Sequence, residues 1–287
     1  MPSVTRTKPN SRLYRVRTSP PLQRTLHTVR RALGRREVSK MWVASPAEAA
    51  VRSALDAALR TEPEGLHIDL IEGLRGEYRA SGVRLDDAER GRTSTLAGAA
   101  SVSRSPRAGW LLHLLVERLQ EAVPERGEWI ALELGTCVGL SGSYQAAALA
   151  GNGRLVTLEL REGLAAQARR TFESVEVADS VRVVVGNIDD TLAEVVADLP
   201  QVNYAFLDGN HYREPTLAYA RQIIAKSRPG TVLVFDDIDF SAQMRQAWRE
   251  LCGNRNFSLL VDLGSMGIAV VGPSTSAAPR VVRVHYA

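Results

Sequence analysis

Asp208, His211, Asp236 and Asp237 are of the types that hold a hard cation and move a proton, and they fall in two short stretches, LDGNHYREPT and FDDIDFS. Each stretch follows an apolar run of strand length, Val202 to Leu207 and Thr231 to Phe235. If the two runs are neighbours in a parallel sheet, all four residues meet beyond its carboxyl edge, where open α/β sheets bind ligands. Three carboxylates gathered there raise at least one pKa and cost energy unless a cation joins them. An all-oxygen set selects magnesium, manganese or calcium over zinc. A histidine beside them can take a proton near neutral pH. Plainer roles stay open, with the acids capping a helix or turn and His211 bonding its own loop.

A second stretch supplies a different kind of site. WIALELGTCVGLSGSYQAAALAGNGRLVTLEL reads as a strand (Trp129 to Leu134), a glycine turn, a helix and a second strand (Arg154 to Leu158). Gly135 and Gly139 let the backbone approach a ligand closely. Ser141 is placed to cap the helix, whose first amides can face an anion. Glu159 ends the second strand, where a carboxylate can accept both hydroxyls of a ribose. The dinucleotide spacing G-x-G-x-x-G fails at Cys137, which argues against a nicotinamide oxidoreductase.

The remaining elements must bring these stretches together. Strands and helices alternate from Glu162 to Cys252, which implies a parallel sheet covered on both faces. Phe257 to Leu263 and Met266 to Gly272, joined by Gly264 and Ser265, read as a hairpin that adds an antiparallel strand at one edge. Upstream, Ser45 caps PAEAAVRSALDAALR, a second helix covers about His67 to Ala80, and Ala88 to Arg107 is aperiodic and reads as a long loop, a linker or a lid. Gly109 to Ala122 is an amphipathic helix on which His113, among leucines, reads as a core or partly buried residue and not as a ligand. The expected division is a basic tail over 1–44, a helical extension with a candidate substrate lid over 45–107, a core over 108–272 and a C-terminal tail over 273–287.

With 45% hydrophobic and 24% charged residues the chain is of ordinary globular composition, and its two cysteines form no disulfide framework. No apolar run has the length of a membrane span and no secretory signal is visible, so a cytoplasmic location is expected. The net charge of +4 is uneven. Residues 1–40 carry nine arginines and two lysines against one acid, a net of +10, and the rest carries 25 basic against 31 acidic residues, a net of −6. The acidic body is therefore not expected to bind nucleic acid. In the tail, Leu22, Leu26, Val29 and Leu33 share one helical face among Arg24, Arg30, Arg31 and Arg35. Such a helix suits docking on the body, a membrane interface or organelle targeting.

The E-x-G-x-x-x-G pattern of Glu133, Gly135 and Gly139 resembles the first motif of class I S-adenosylmethionine-dependent methyltransferases. Their loop holds the amino acid end of the cofactor. The resemblance implies a Rossmann-like, seven-stranded, mostly parallel sheet, with Gly135 and Gly139 shaping the loop, Ser141 facing the cofactor carboxylate and Glu159 on the ribose. Thr136, Asp208 and, after the third strand, Gly186, Asn187 and Ile188 complete the expected cofactor contacts. The acid after the fourth strand and the Asp236-Asp237 pair after the fifth resemble metal-dependent O-methyltransferases of the catechol, caffeoyl-CoA and macrolide-sugar types. DGNHYREPT and VFDDI also look like a bacterial group of undefined substrate. The resemblance covers about Gly109 to Gly272. It implies a divalent cation, Mg2+, on Asp208, Asp236 and Asp237, His211 as base beside Asp208, and a small-molecule or sugar hydroxyl as acceptor, with a homo-oligomer admissible. Competing readings are a metal-independent methyltransferase, an N-methyltransferase, an NAD-dependent oxidoreductase and a non-catalytic cofactor-binding protein. Against the N-methyltransferase, the motif that would carry a prolyl-prolyl-aromatic signature reads DGNH.

Overall fold

The computed structural model describes residues 20–87, 92–125, 127–149, 151–273 and 277–286, with no account of the side chains of 20–25, 86, 87, 92 and 93. The tail before Pro20, with five of the eleven basic residues of 1–40, lies outside the described residues, as does the side chain of Leu22. Among the described residues no helix is long and apolar enough to cross a membrane.

The sheet is laid down by the strands that flank the two chemical stretches. Among the described residues eight strands form one sheet, in the order β10 (Arg280–Arg283), β8 (Phe257–Asp262), β9 (Gly267–Val271), β7 (Ser227–Phe235), β6 (Val202–Leu207), β3 (Trp129–Leu134), β4 (Gly153–Glu159) and β5 (Val181–Val185). Strands β3 to β7 are parallel to one another. Strands β3 and β6 are buried along their whole length, because helices cover both faces, and this is why they read as unbroken apolar runs. The covering helices are α5 (Pro106–Ala122), α6 (Leu140–Leu149), α7 (Glu162–Ser174), α8 (Ile188–Asp198), α9 (Arg213–Ala225) and α10 (Ala242–Cys252). β8 (Phe257–Asp262) and β9 (Gly267–Val271) form the expected hairpin, and β9 pairs antiparallel with β7. The eighth strand was not expected. β10 (Arg280–Arg283) pairs parallel with β8, and four residues after a Pro-containing stretch are too short to show periodicity.

Upstream of the sheet lie α1 (Pro20–Ser39), α2 (Pro46–Arg60) and α3 (Leu66–Ala80). Ser45 caps α2 as expected, accepting from the Glu48 amide. Residues 88–107, read as loop, are instead structured from Arg92 onward: β1 (Arg84–Asp87) pairs with β2 (Arg92–Thr95), and Thr95 caps the short helix α4 (Leu96–Val102). His113 is partly buried, stacked on Trp110 with Nδ1 3.0 Å from the Tyr144 carbonyl.

Helix α1 docks by a different face from the one its pattern suggests. Leu26, Val29 and Leu33 are 44%, 50% and 42% exposed, so the apolar stripe faces solvent. The buried contacts are Gly34 and Val38, while Arg31 donates to the Leu59 carbonyl and Glu37 accepts from the His285 amide. At Gly34 an added Cβ would lie 2.2 Å from the His285 carbonyl oxygen. Gly34→Val should therefore cost about 1–3 kcal/mol, the range of an overpacked contact. Chemical denaturation should show the loss, with proteolysis entering at α1 first; unchanged stability would mean that α1 is not held here.

Candidate active site

One register row places the functional residues. Phe235, Leu207, Leu134 and Leu158 are paired in sequence across β7, β6, β3 and β4. The next residues along these strands are Asp236, Asp208, Gly135 and Glu159, so they share the carboxyl edge. Gly135 has φ of 104° and Gly139 φ of 82°. A Cβ at Gly135 would lie 2.4 Å from the Asp208 carbonyl oxygen, so the loop can cross the end of β6 only as glycine. Three non-glycine residues at this edge are also left-handed: Cys137 at φ 51°, Asn210 at 55° and Asp237 at 52°.

A cleft of about 440 Å3 opens at this edge, within the range of small-molecule and cofactor sites. Of the expected residues, Gly135, Ser141, Glu159, Asn187, Ile188, Asp208, His211 and Asp237 line it. Glu133, Thr136, Gly139, Gly186 and Asp236 are not among its lining residues.

Glu133 works from behind the loop. Its carboxylate is buried and accepts from Ser141 Oγ at 2.8 Å, Gln145 Nε2 at 2.8 Å and Thr157 Oγ1 at 2.7 Å. Thr136 Oγ1 lies 2.5 Å from Thr157 Oγ1, and since that hydroxyl's proton goes to Glu133, Thr136 is the donor. Burial pushes the Glu133 carboxyl up to about 7 against the pull of these donors. One expectation for Ser141 changes: the helix starts at Leu140, so Ser141 lies in its first turn and is not its cap. Ser141 lines the cleft, and its hydroxyl donates to Glu133.

Glu159 is buried at the far side of the loop. Oε2 accepts from the Cys137 amide at 2.8 Å and Oε1 from the Arg161 amide at 3.0 Å. These bonds fix the carboxylate and use about half of its four acceptor positions, leaving capacity for a pair of hydroxyls. Its pKa is raised by burial, against those amides. Cys137 lines the cleft as a small inert group, its thiol pushed up to about 12 by burial and by Glu159.

The acidic end holds a residue that pattern reading missed. Arg104, between α4 and α5, reaches Asp237 Oδ1 with Nη2 at 2.8 Å and places Nε 2.5 Å from Asp236 Oδ2. The second contact is an ion pair without hydrogen-bond alignment: Asp236 Oδ2 is buried and has no hydrogen bond. His211 Nε2 is 3.7 Å from Asp208 Oδ1 and 3.9 Å from Asp237 Oδ2. Burial lowers the His211 pKa, opposed by Asp237, and favours the neutral ring. Desolvation and the neighbouring Asp236 push Asp208 well up, and desolvation raises Asp236 against the pull of Arg104. Among the described residues no group of three or more His, Cys, Asp or Glu is placed to hold a metal ion. The three acids do reach one edge, as expected, but the guanidinium pairs with two of them. Arg104 had no local signal beyond its place in a candidate lid.

A model of a methyltransferase domain matches residues 132–238. The catechol O-methyltransferase of Niastella koreensis is 33% identical over 156 residues, 53% of this chain and 66% of that protein. That of Sus scrofa is 30% identical over 171 residues, covering 55% of this chain and 90% of that protein. The fold is shared with the O-methyltransferase TomG of Streptomyces achromogenes in complex with S-adenosylmethionine, at TM-score 0.53 and 21% identity over 76% of this chain and 94% of that one. The sheet order, glycine loop and acidic edge define a nucleoside-cofactor fold of the methyltransferase kind. The chain belongs to the class I S-adenosylmethionine-dependent O-methyltransferases.

Replacing Glu159 by Ala should weaken binding of S-adenosylmethionine or its demethylated product roughly ten- to hundred-fold, the loss of one or two charge-assisted hydrogen bonds. Gly135→Ala should remove binding, since the loop cannot hold its course. Calorimetry with each variant checks both, and full affinity in Glu159→Ala would take the carboxylate off the ribose.

Proposed function

We propose that the protein transfers the methyl group of S-adenosylmethionine to a hydroxyl oxygen of a small-molecule acceptor, with His211 as the base. The observation that carries this reading is the joining of Glu159 and His211 in one cleft, a buried carboxylate and an imidazole whose burial favours the neutral ring. Glu159 takes the ribose, and the loop from Gly135 to Gly139 takes the methionine end. The acceptor then lies toward His211 and Asp237. In the transfer a lone pair of the acceptor oxygen forms the new carbon–oxygen bond while the carbon–sulfur bond breaks and its electrons return to sulfur, which leaves as a neutral thioether. The hydroxyl proton passes to His211 Nε2. Asp237 lies beside that nitrogen and favours the imidazolium that results. Much of the rate comes from holding donor and acceptor in line.

The same reading includes a divalent cation at Asp208, Asp236 and Asp237. The donors would all be carboxylate oxygens, the chemistry a hard cation takes, but the Arg104 guanidinium already pairs with two of the three acids. When bound, such a cation lowers the pKa of an acceptor hydroxyl.

His211→Ala should retain cofactor binding and lose roughly two to four orders of magnitude in rate, the range of a general base. In the wild type, acidification protonates the imidazole and the rate falls. Burial lowers this pKa, so the acid limb should lie below the usual histidine value, and it should be missing from His211→Ala. A limb unchanged in the variant would assign the base elsewhere. Strong chelator should abolish transfer and spare cofactor binding, and full activity in chelator would leave a metal-independent enzyme.

A further inference from the structure

The glycine loop is held from outside the matched domain as well as from within it. Val138 lies inside the loop, and its carbonyl accepts from Thr171 Oγ1 at 2.7 Å. Thr171 belongs to α7, and the same hydroxyl also leans on the Gln167 carbonyl at 3.1 Å. On its other side stands Tyr78 of α3, with Oη 2.9 Å from Thr171 Oγ1, and Tyr78 Oη accepts from Gln167 Nε2 at 3.0 Å. The directions follow from the protons present. A threonine hydroxyl has one, and here two carbonyls, which can only accept, share it. Tyr78 must therefore donate to Thr171. The chain of donors runs from Gln167 through Tyr78 and Thr171 to the Val138 carbonyl, and all four residues are buried.

Such a chain stiffens whatever it ends on, because breaking one link leaves a buried polar atom without a partner. Here it ends on the residue after Cys137, whose amide holds Glu159. Two further bonds tie the same neighbourhood to upstream residues. Tyr144 of α6 donates to Glu72 of α3 at 2.7 Å. Arg161, whose amide holds the other oxygen of Glu159, reaches the Leu85 carbonyl of β1 with Nη2 at 3.5 Å. We propose that Tyr78 is a positioning residue for the cofactor. Acting through Thr171, it sets the course of the loop at Val138, so helix α3 belongs to the cofactor site although it precedes the methyltransferase match at 132–238. This inference rests on the placement of the cofactor's methionine end at the loop, given above.

Calorimetry with S-adenosylmethionine tests this without relying on turnover. Tyr78→Phe keeps the ring and removes the donor, and it should weaken binding roughly two- to tenfold, the worth of one hydrogen bond. Thr171→Val should do the same. Both changes break one chain, so the double variant should bind about as weakly as Thr171→Val alone. Thr171→Ser, which keeps the hydroxyl, should bind like the wild type. Ile71→Val, a packing change at a buried position of the same helix, should lower the melting temperature and leave affinity unchanged, which separates positioning from loss of stability. Because Tyr78→Phe strands a buried Gln167 amide and can fail to fold, a second measurement uses the wild type alone. Coupling is reciprocal, so saturating cofactor or its demethylated product should slow hydrogen exchange at the α3 amides around Tyr78 by the same factor. Full affinity in Tyr78→Phe, an equal loss in Ile71→Val, additive losses in the double variant, or α3 exchange that ignores the cofactor overturns the role of Tyr78 and leaves the cofactor site as described. A wild-type protein that binds neither ligand removes the cofactor reading, and the role of Tyr78 with it.

Discussion

The site depends on the register of the parallel sheet. Because Phe235, Leu207, Leu134 and Leu158 are paired across four adjacent strands, an acid, an acid, a glycine and an acid emerge at the same level. Strand side chains alternate faces with a period of two, so a slip of one residue in β6 would turn Asp208 to the opposite face and drive an apolar side chain into solvent. The register is enforced by burial, since β3 and β6 carry no exposed residue. The active geometry is thus fixed by the same apolar packing that stabilises the fold.

Around this row the loop is braced by a buried polar network. Glu133 gathers Ser141, Gln145 and Thr157, and Thr136 joins through Thr157. A carboxyl held to about 7 by burial carries its negative charge at a cost. Three donors aimed at it offset much of that cost and fix the loop in one course. Such a brace suits a loop that must present backbone amides to a ligand without closing over the space the ligand needs.

Features written locally in the chain were legible. The strand runs, the glycine turn, the hairpin at Gly264 and Ser265 and the acids at strand ends each follow from spacing within a dozen residues, and spacing is what the sequence displays. Arg104 was not legible. It lies in an aperiodic segment, and its partners are more than 130 residues away, joined to it only by the folded chain. Helix α1 shows a further limit: periodicity tells which residues share a face and not which face is covered. Leu26, Val29 and Leu33 do share one, but Gly34 and Val38 on another side make the contact, because a residue without a side chain lets a backbone approach. Ser141 illustrates a difference of one residue, which changed a helix cap into a donor for Glu133.

The left-handed backbone at Cys137 and Asp237 carries a consequence for engineering. A non-glycine residue in that conformation costs on the order of 1–2 kcal/mol, so glycine at either position would look attractive in a search for thermostable variants. Glycine at 237 would delete a carboxylate beside His211, and glycine at 137 would slacken the segment whose amide holds Glu159. Selection for heat resistance alone would thus favour changes that dismantle the cleft at the carboxyl edge of the sheet. A screen of this enzyme has to read ligand affinity or turnover alongside melting temperature, because here strain and chemistry occupy the same residues.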